Sequence, residues 1–361
     1  MEHDLFAAFK DPEMARGVVR RLHALASPRP VKLMHVCGTH ENAIAHHGLR
    51  DLLPDWLQVI AGPGCPVCVC PAADIQMAVD LALSGKACVA TFGDMFRVPA
   101  RTSLAEAKAA GGDVRIVFSI TDAVELARAN PSLEVVFFAV GFETTAVTTA
   151  AAVLSDPPAN FRLLVSHRSI PAALAALLAD PELVLAGFLL PGHVTTVTGT
   201  LDYQFIPERH GVPVTVAGFE PVDVLLGILS LAEMAVSGVA RLENRYTRAV
   251  RGGGNERAVA ALRKVFSPCD AHWRGIGVIP GSGLALRPEF ARLDAGAHFG
   301  FVPDTSLHEL APGCSCGLIM LGKLDPPACP LFGRACTLDR PYGPCMVSME
   351  GTCRNWHRYR G

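Results

Sequence analysis

The stretch that decides the fold is Trp56–Thr91, which reads WLQVIAGPGCPVCVCPAADIQMAVDLALSGKACVAT. The apolar run Trp56–Ile60 predicts a strand, and the glycine- and proline-rich segment Gly62–Cys68 predicts a tight turn after it. The alanine- and leucine-rich segment Ala73–Ser84 predicts a helix, and Cys88–Thr91 predicts the next strand. This order of strand, helix and strand is typical of a right-handed βαβ unit in a parallel sheet.

The same alternation of apolar runs and helical stretches continues on both sides of this segment. Further strands are predicted at Val31–Val36, Val114–Phe118, Val135–Val140, Ala186–Leu189 and Val212–Val216. Further helices are predicted at Thr121–Asn130, Ala172–Ala179 and Val222–Val239. The fold class that this pattern predicts is α/β, with two Rossmann-like modules that are each built on a parallel sheet.

We expect the chain to divide into three domains. Residues 1–130 and 131–240 would each form an α/β domain, and the first would carry the cysteine motifs described below. Residues 241–361 would form a helical and cysteine-rich domain that could pack with the N-terminal residues. Within it, 241–264 is expected to be a polar helix interrupted by glycines, and the periodic apolar pattern fades after Pro268. Because that region lacks an ordinary core, a metal centre would supply the missing stability.

The composition restricts the classes of function. The 361 residues carry a formal net charge of −2 with no basic block, so nucleic-acid binding has no electrostatic support. Met1–Lys10 lacks the basic start and long apolar run of a signal peptide, and charged residues interrupt Val222–Val239, so no membrane span is expected. We therefore expect a cytoplasmic protein. In a reducing compartment, 12 cysteines indicate metal or redox chemistry rather than a disulfide framework.

The turn after the predicted strand Trp56–Ile60 carries Cys65 and Cys68 in a Cys-Pro-Val-Cys motif. A Cys-x-x-Cys pair is the usual unit of thiol–disulfide exchange, and the start of a nearby helix favours the thiolate form. At the carboxyl end of a strand, both thiols would lie where open α/β sheets bind their ligands. The alternative is half of a structural zinc site, which needs a second pair of ligands. Cys70 adds a third thiol, which we expect to be an inert apolar group.

Cys37 and His40 follow another predicted strand, in the run Cys-Gly-Thr-His. A cysteine with a nearby histidine can act as nucleophile and base, or as a pair of metal ligands. Because this strand and the one before Cys65 belong to the same predicted sheet, the two motifs are expected to converge. The other histidines of this region are interpreted as ordinary polar positions: His35, His46 and His47.

Two further polar groups follow predicted strands. Glu143 lies in Gly-Phe-Glu-Thr-Thr, where capping of the next helix by Thr144 or Thr145 and a carboxylate at the mouth of a cleft explain the motif equally well. His193 lies in Pro-Gly-His and is a modest candidate, since an isolated histidine at a strand end has several uses.

Four cysteines near the C-terminus are separated by fourteen, six and sixteen residues: Cys314, Cys329, Cys336 and Cys353. Four thiolates are the usual ligand set of an iron–sulfur cluster, whereas structural zinc sites usually contain two closely spaced pairs. The spacing therefore favours a 4Fe–4S cluster in a small iron–sulfur region. Cys316 could replace Cys314 as the first ligand, and Cys345 is an eligible extra ligand.

Together these segments resemble the HypD family of hydrogenase maturation proteins. The resemblance rests on Cys37–His40, Gly62–Cys68, Gly141–Thr145, Pro191–Val194, Gly343–Val347 and the cysteine quartet. It extends across nearly the whole chain, with two small departures. Cys70 stands where the family more often has threonine, and His35 stands where an acidic residue is common.

The resemblance implies a function that composition does not reveal. HypD-like proteins act with the small chaperone HypC as a scaffold for the Fe(CN)2CO unit of NiFe-hydrogenases, and the cyanide comes from a thiocyanate on the partner HypE. By this resemblance, Cys37 would hold the transient iron together with HypC. Cys65 and Cys68 would be the redox-active pair, which the 4Fe–4S cluster supplies with electrons. The remaining residues would line the cleft and orient the chemistry: His40, Glu143 and His193.

Two other hypotheses stay open on the residues alone. One is a free-standing iron–sulfur disulfide reductase with a small-molecule or protein substrate, and the other is a non-catalytic zinc protein used for assembly. A brown, iron-containing protein would exclude zinc. An iron-carrying HypC-type partner would favour the scaffold over the reductase.

Overall fold

The computed structural model describes residues 7–304 and 306–360. Within these residues, every helix is too short or too polar to cross a lipid bilayer. The expectation that the chain lacks a signal peptide concerns residues 1–10, of which residues 1–6 lie outside the described part.

The strands, in chain order, are β1 Val31–His35, β2 Leu57–Ala61, β3 Cys88–Thr91, β4 Val114–Ile116, β5 Val135–Gly141, β6 Phe161–His167, β7 Gly187–Pro191, β8 Val214–Ala217, β9 Leu242–Asn244, β10 Phe266–Trp273 and β11 Gly277–Leu286. The α-helices are α1 Pro12–Ala24, α2 Gly38–His46, α3 Pro66–Val69, α4 Ala72–Leu83, α5 Leu104–Ala109, α6 Ile120–Ala129, α7 Glu143–Leu154, α8 Ile170–Leu178, α9 Gly192–Thr198, α10 Phe205–His210, α11 Pro221–Ser237, α12 Glu256–Val265, α13 Ala295–Phe299, α14 Cys316–Met320, α15 Pro344–Val347 and α16 Thr352–Tyr359. Short 3-10 helices occupy Ala7–Lys10, Leu49–Leu52, Met95–Arg97, Leu201–Tyr203, Pro288–Leu293 and Pro326–Ala328.

Two parallel sheets form the centre of the molecule and confirm the predicted α/β fold. The larger sheet has five strands in the order β2-β1-β7-β8-β9, and the smaller has four in the order β4-β3-β5-β6. All neighbouring strands in both sheets run parallel. The remaining strands, β10 and β11, form an antiparallel hairpin ahead of the cysteine-rich C-terminal region.

Membership of the two sheets does not follow chain order. The five-stranded sheet combines β1 and β2 with β7, β8 and β9, so the strands of the smaller sheet lie between its two halves in sequence. In the smaller sheet β3 pairs with β5, and this pairing crosses the boundary expected at residue 130. The division into three independently folding domains stays a prediction.

Apolar burial explains why these segments form sheets. Every residue of β5 is buried, and Phe137 and Phe138 on its two faces are fully inaccessible. Burying one such side chain contributes roughly 1.5–3 kcal/mol. Such strands read as continuous apolar runs because helices cover both faces of the sheet.

The structure differs from the sequence prediction where burial is partial. The expected polar helix over 241–264 is wrong in its first half, since residues 242–244 form β9 and α12 begins only at Glu256. The hairpin was not predicted because most residues of β10 alternate between exposed and half-buried positions, which weakens the apolar signal. The strand β6 also went unpredicted.

Candidate thiol and metal site

The cysteine and histidine motifs meet at the carboxyl edge of the five-stranded sheet. Cys37 follows β1, Cys65 follows β2 and His193 follows β7, and these three strands are neighbours. Sγ of Cys37 lies 3.9 Å from Nδ1 of His193, within range of a thiol–imidazole hydrogen bond. The expected convergence of the Cys37 and Cys65 motifs is therefore present, since parallel strands end at the same edge.

Close backbone packing joins the two cysteine turns. The amide of Gly38 donates to the carbonyl of Gly64 at 3.0 Å. A β-carbon on Gly64 would overlap the backbone of Cys37, so only glycine permits this approach. Gly64 therefore sets the distance between the Cys37 turn and the Cys65 turn.

Cys65 and Cys68 are joined by a disulfide in this structure. Cys65 caps the short helix α3, where its sulfur accepts a hydrogen bond from the amide of Cys68 at 3.1 Å. The third thiol of the turn, Cys70, is outside the pair and contacts Ser166 Oγ at 3.5 Å. Burial, together with the charge of Asp74, raises the pKa of Cys70 to about 12, which keeps it a neutral thiol.

The thiol of Cys37 is also buried and strongly disfavoured as a thiolate. Burial and then the negative charge of Glu350 raise the pKa of Cys37 to about 12. Burial also raises the pKa of Glu350, to about 7, with the charge of Asp94 adding to the effect. Glu350 was not among the residues that sequence patterns singled out, since it lies more than 300 positions from Cys37. A positive ion beside Cys37 would lower the pKa of its thiol and favour the thiolate.

Two neutral imidazoles accompany Cys37. His40 Nε2 donates to the carbonyl of Gly218 at 2.8 Å, and its Nδ1 is buried without a hydrogen-bond partner. Burial lowers the pKa of His40 to about 3 and that of His193 to about 4, so both rings are uncharged at neutral pH. Each ring contacts Phe219, with centroid distances of 5.1 and 5.2 Å. Neutral imidazole nitrogens of this kind can accept protons or bind metals.

Glu143 lies at the start of α7 and outside the cavity that contains Cys37. Its Oε1 accepts a hydrogen bond from the amide of Ile170 at 2.9 Å, while Oε2 is buried without a partner. Burial raises the pKa of Glu143 to about 7. The alternative in which Thr144 or Thr145 caps this helix is wrong, since the cap position is Phe142 and it makes no side-chain capping bond.

A small cavity connects the predicted thiols with the C-terminal region. Its walls include Cys37, the Cys65–Cys68 pair, Cys345 and Glu350. The volume available to the centre of a water molecule is about 10 Å³, at the lower limit for a single water. The cavity therefore brings the sulfurs together and has room for at most one water molecule.

The C-terminal cysteines form a second, adjoining group. The sulfurs of Cys316, Cys345 and Cys353 lie within 4.8 Å of one another, and all three are buried. The amide of Cys353 donates to Cys345 Sγ at 3.2 Å. Hydrogen bonds from Cys316 and Cys353 lower the pKa of Cys345, so one thiolate in this group is favoured. Cys314 is hydrogen-bonded to Cys316 at the edge of the group.

The predicted quartet is only partly visible in this grouping. Cys353 belongs to the close triad, and Cys314 adjoins it through Cys316. Cys329 and Cys336 are buried, and Cys336 Sγ accepts a hydrogen bond from the amide of Tyr342 at 3.3 Å. Several buried thiols with amide donors suit a metal or iron–sulfur centre, because such centres prefer thiolates screened from water. The choice of four ligands stays a prediction.

The disulfide contacts the segment that carries Cys345. Sγ of Cys68 lies 4.0 Å from the carbonyl oxygen of Pro344, the residue before Cys345. The helices α3 and α15 pack against each other, and Cys345 lines the same small cavity as the disulfide. The disulfide and the C-terminal cysteine group are thus neighbours.

A buried ion network supports the floor of this site. Glu41 accepts a hydrogen bond from Arg50 at 2.6 Å and is 2.7 Å from His35 Nε2. Burial alone would raise the pKa of Glu41, but Arg50 and His35 outweigh it and bring the pKa down to about 2. His35 and Glu41 are buried, and His35 is therefore a polar position held in a hydrogen-bonded ion network.

These features define a class of protein: an α/β scaffold with a dithiol–disulfide pair beside a buried cysteine centre. Comparison with known proteins identifies the family. The family described as "Hydrogenase formation hypA family", under the name HypD, matches residues 13–360. The chain is 43% identical to the hydrogenase expression/formation protein HupD of Azotobacter chroococcum, over 97% of this chain and 95% of that protein.

Other relatives are similar to the chain over almost the same length. The hydrogenase maturation factors HypD of Rhodobacter capsulatus and Escherichia coli are 42% and 41% identical, each over 98% of this chain and 97% of the relative. The chain belongs to the HypD family of hydrogenase maturation factors.

Proposed function

We propose that this protein is the scaffold on which the Fe(CN)2CO unit of a NiFe-hydrogenase is assembled, together with a HypC-type chaperone and a HypE-type cyanide donor. The observation that carries the proposal is the shared cavity of Cys37, the Cys65–Cys68 pair and Cys345. A metal-binding thiol, a two-electron dithiol and a cysteine centre are the three components that cyanide transfer to iron requires.

The dithiol would provide the electrons for cyanide release. A thiocyanate R–S–CN takes up two electrons and gives the thiolate R–S⁻ and cyanide. Reduced Cys65 and Cys68 supply these two electrons and two protons as they form their disulfide. Because the disulfide closes within one turn of chain, it can form and open without moving the sheet.

A 4Fe–4S cluster, when bound, would supply single electrons that return the disulfide to the dithiol, drawn from an external one-electron donor. We propose Cys314, Cys329, Cys336 and Cys353 as its ligands, with Cys316 as the alternative to Cys314. The contact between Cys68 and the segment at Pro344 supports electron transfer over a short path.

Cys37 would hold the iron that receives cyanide and carbon monoxide. The cavity is too small for an iron with diatomic ligands, so the site must widen, or be completed at its outer face by the HypC-type chaperone. A single thiolate binds ferrous iron weakly, which is the physical reason for a shared site. His193, 3.9 Å from the Cys37 sulfur, would accept the thiol proton once iron lowers the pKa of Cys37. His40 and, from outside the present cavity, Glu143 would orient groups around the cleft.

Infrared spectroscopy of the anaerobically purified complex with a HypC-type chaperone tests the proposal. We expect cyanide and carbonyl stretches from an iron carried by the pair of proteins, and a brown colour from this chain alone. A complex that contains iron but lacks both stretches after exposure to a HypE-type donor would contradict the scaffold function. It would favour the free-standing reductase instead.

A further inference from the structure

The tip of the β10–β11 hairpin holds a buried cation that the proposed function does not use. Arg274 follows β10 and is only 2% exposed. Burying a charge is costly unless the charge is paired, so an arginine in this position requires an explanation.

Backbone carbonyls fix the guanidinium in place. Its Nε donates to the carbonyl of Glu309 at 2.5 Å, and one Nη2–H donates to the carbonyl of Pro99 at 2.7 Å. The Arg274 amide also donates to the carbonyl of Val69, in the helix of the redox-active pair, at 2.8 Å. Three separate segments of chain therefore hold this one residue.

The remaining guanidinium nitrogen is unpaired within residues 7–304 and 306–360. Nη1 of Arg274 is buried without a hydrogen bond among the described residues. The carboxylate of Glu309 is 4.0 Å from Nε, and it is already engaged by the amide of Ala72 at 2.9 Å and by His272 at 3.3 Å. A buried guanidinium with a free N–H is suited to a further negative group.

The hairpin tip lies against the C-terminal cysteine group. Gly275 adopts φ of +69°, and its carbonyl packs so closely on Gly317 that a β-carbon there would overlap it. Gly317 follows Cys316 in α14, so the hairpin tip that carries Arg274 packs on the helix of this thiol. Burial lowers the pKa of Arg274, and the charge of Glu309, followed by those of Cys70, Cys316 and Cys314 as thiolates, opposes this effect. These thiols include the first ligand of the cluster under either assignment above.

We propose that Arg274 is a positioning residue for the iron–sulfur centre, whose fixed positive charge raises the cluster's reduction potential. A 4Fe–4S cluster with four thiolates gains one negative charge on reduction, and a nearby cation stabilises the reduced form more than the oxidised form. The same backbone bonds connect the cation to the disulfide helix, so the potential of the electron donor is set next to its acceptor. This inference rests on the proposed cluster.

The test is a redox titration of the full-length, cluster-loaded chain, followed by electron paramagnetic resonance of the reduced cluster. Arg274→Met should move the midpoint potential to more negative values, and Arg274→Lys, which keeps the charge, should restore most of the difference. Glu309→Gln removes the negative partner and should move the potential in the positive direction. It still offers an oxygen to the amide of Ala72.

A second neutral variant keeps the proposal falsifiable if Arg274→Met does not fold. Arg274→Gln removes the charge but keeps side-chain hydrogen-bond donors, and its midpoint potential then decides the outcome. A wild-type potential in the neutral variant that folds, with iron content unchanged, would overturn the role of Arg274. Iron analysis of the wild-type chain separates this result from failure of the proposed function, because a chain without iron–sulfur signal would remove the cluster itself.

Discussion

The thiol of Cys37 and the imidazole of His193 lie 3.9 Å apart, although 156 positions separate them in the chain. Each residue follows a strand, and the two strands are neighbours in the five-stranded sheet. The chain between them forms the complete four-stranded sheet. A candidate metal ligand and a neutral base are thus paired by strand order and not by a local motif.

Replacing Cys37 should remove iron binding without affecting the C-terminal centre. In Cys37→Ala, we expect the cyanide and carbonyl infrared bands of the chaperone complex to fall at least about tenfold, because a thiolate ligand is lost. The visible absorption of the cluster should stay unchanged. His40→Ala should weaken the bands less, because in the proposed site its ring orients the reacting groups and is not an iron ligand. Cys269→Ala, in the hairpin, is the matched control and should behave as wild type. Cyanide and carbonyl bands of wild-type intensity in Cys37→Ala would show that Cys37 is not an iron ligand.

The disulfide should be reversible and specific to one pair. After reduction and alkylation, mass spectrometry should find two additional labels in the peptide that contains Cys65 and Cys68, compared with the oxidised sample. Cys70 should label slowly in both samples, because burial keeps its thiol neutral and inaccessible. A bond between Cys65 and Cys70 would overturn the pairing but leave the redox function standing.

The cluster ligands can be assigned by single substitutions. Cys336→Ala should abolish the brown colour and make residues after about 310 sensitive to protease, because the centre stabilises a region with little core of its own. Cys345→Ala should keep four irons per chain if the predicted quartet is right. The opposite result, with colour kept in Cys336→Ala and lost in Cys345→Ala, would move the site to the close triad and Cys314.

Gly64 should be intolerant of even one methyl group. Gly64→Ala places a β-carbon against the backbone of Cys37, and overpacking of this kind costs about 1–3 kcal/mol of unfolding free energy. Chemical denaturation should show this loss. Gly252→Ala is the control, since a β-carbon added there meets nothing within 4 Å and the φ of Gly252 is ordinary. Equal stability of the two variants would mean that the cysteine turns are not tightly packed.

Acid should destabilise the protein partly through His167. This fully buried ring is 3.0 Å from Thr149 Oγ1, and burial lowers its pKa from 6.5 to about 3. The unfolded state therefore binds a proton first, and the contribution of His167 is complete above pH 6.5 and lost as the pH falls from 6.5 towards 3. Between about pH 7.5 and 5.5, His167 lowers the free energy of unfolding by roughly 1 kcal/mol.

His167→Gln, which can keep the bond to Thr149, isolates this effect. The variant retains the other buried groups, including Glu143, whose raised pKa acts in the opposite direction as the pH changes. Urea denaturation at several pH values should show a shallower fall in unfolding free energy for the variant than for wild type. Parallel pH curves for the two proteins would contradict the assignment.

Local pattern was sufficient to predict much of this protein. The β-branched runs and alanine-rich stretches predicted most strands and helices, since strand and helix periodicity are properties of a few neighbouring residues. The Cys65–Cys68 pair was also predictable, because three positions on one turn place its sulfurs within reach. Family motifs at Cys37–His40 and Gly141–Thr145 pointed to a function that the comparisons then supported.

Only the tertiary structure decided which of these groups meet. The placement of Glu350 beside Cys37, the triad of Cys316, Cys345 and Cys353, and the burial of Arg274 all join segments far apart in sequence. Strand order within a sheet depends on how two sheets share apolar surface over the entire chain. No local spacing encodes that choice, and so the sequence determined the chemistry that is present, while the packing of the sheets determined where it is brought together.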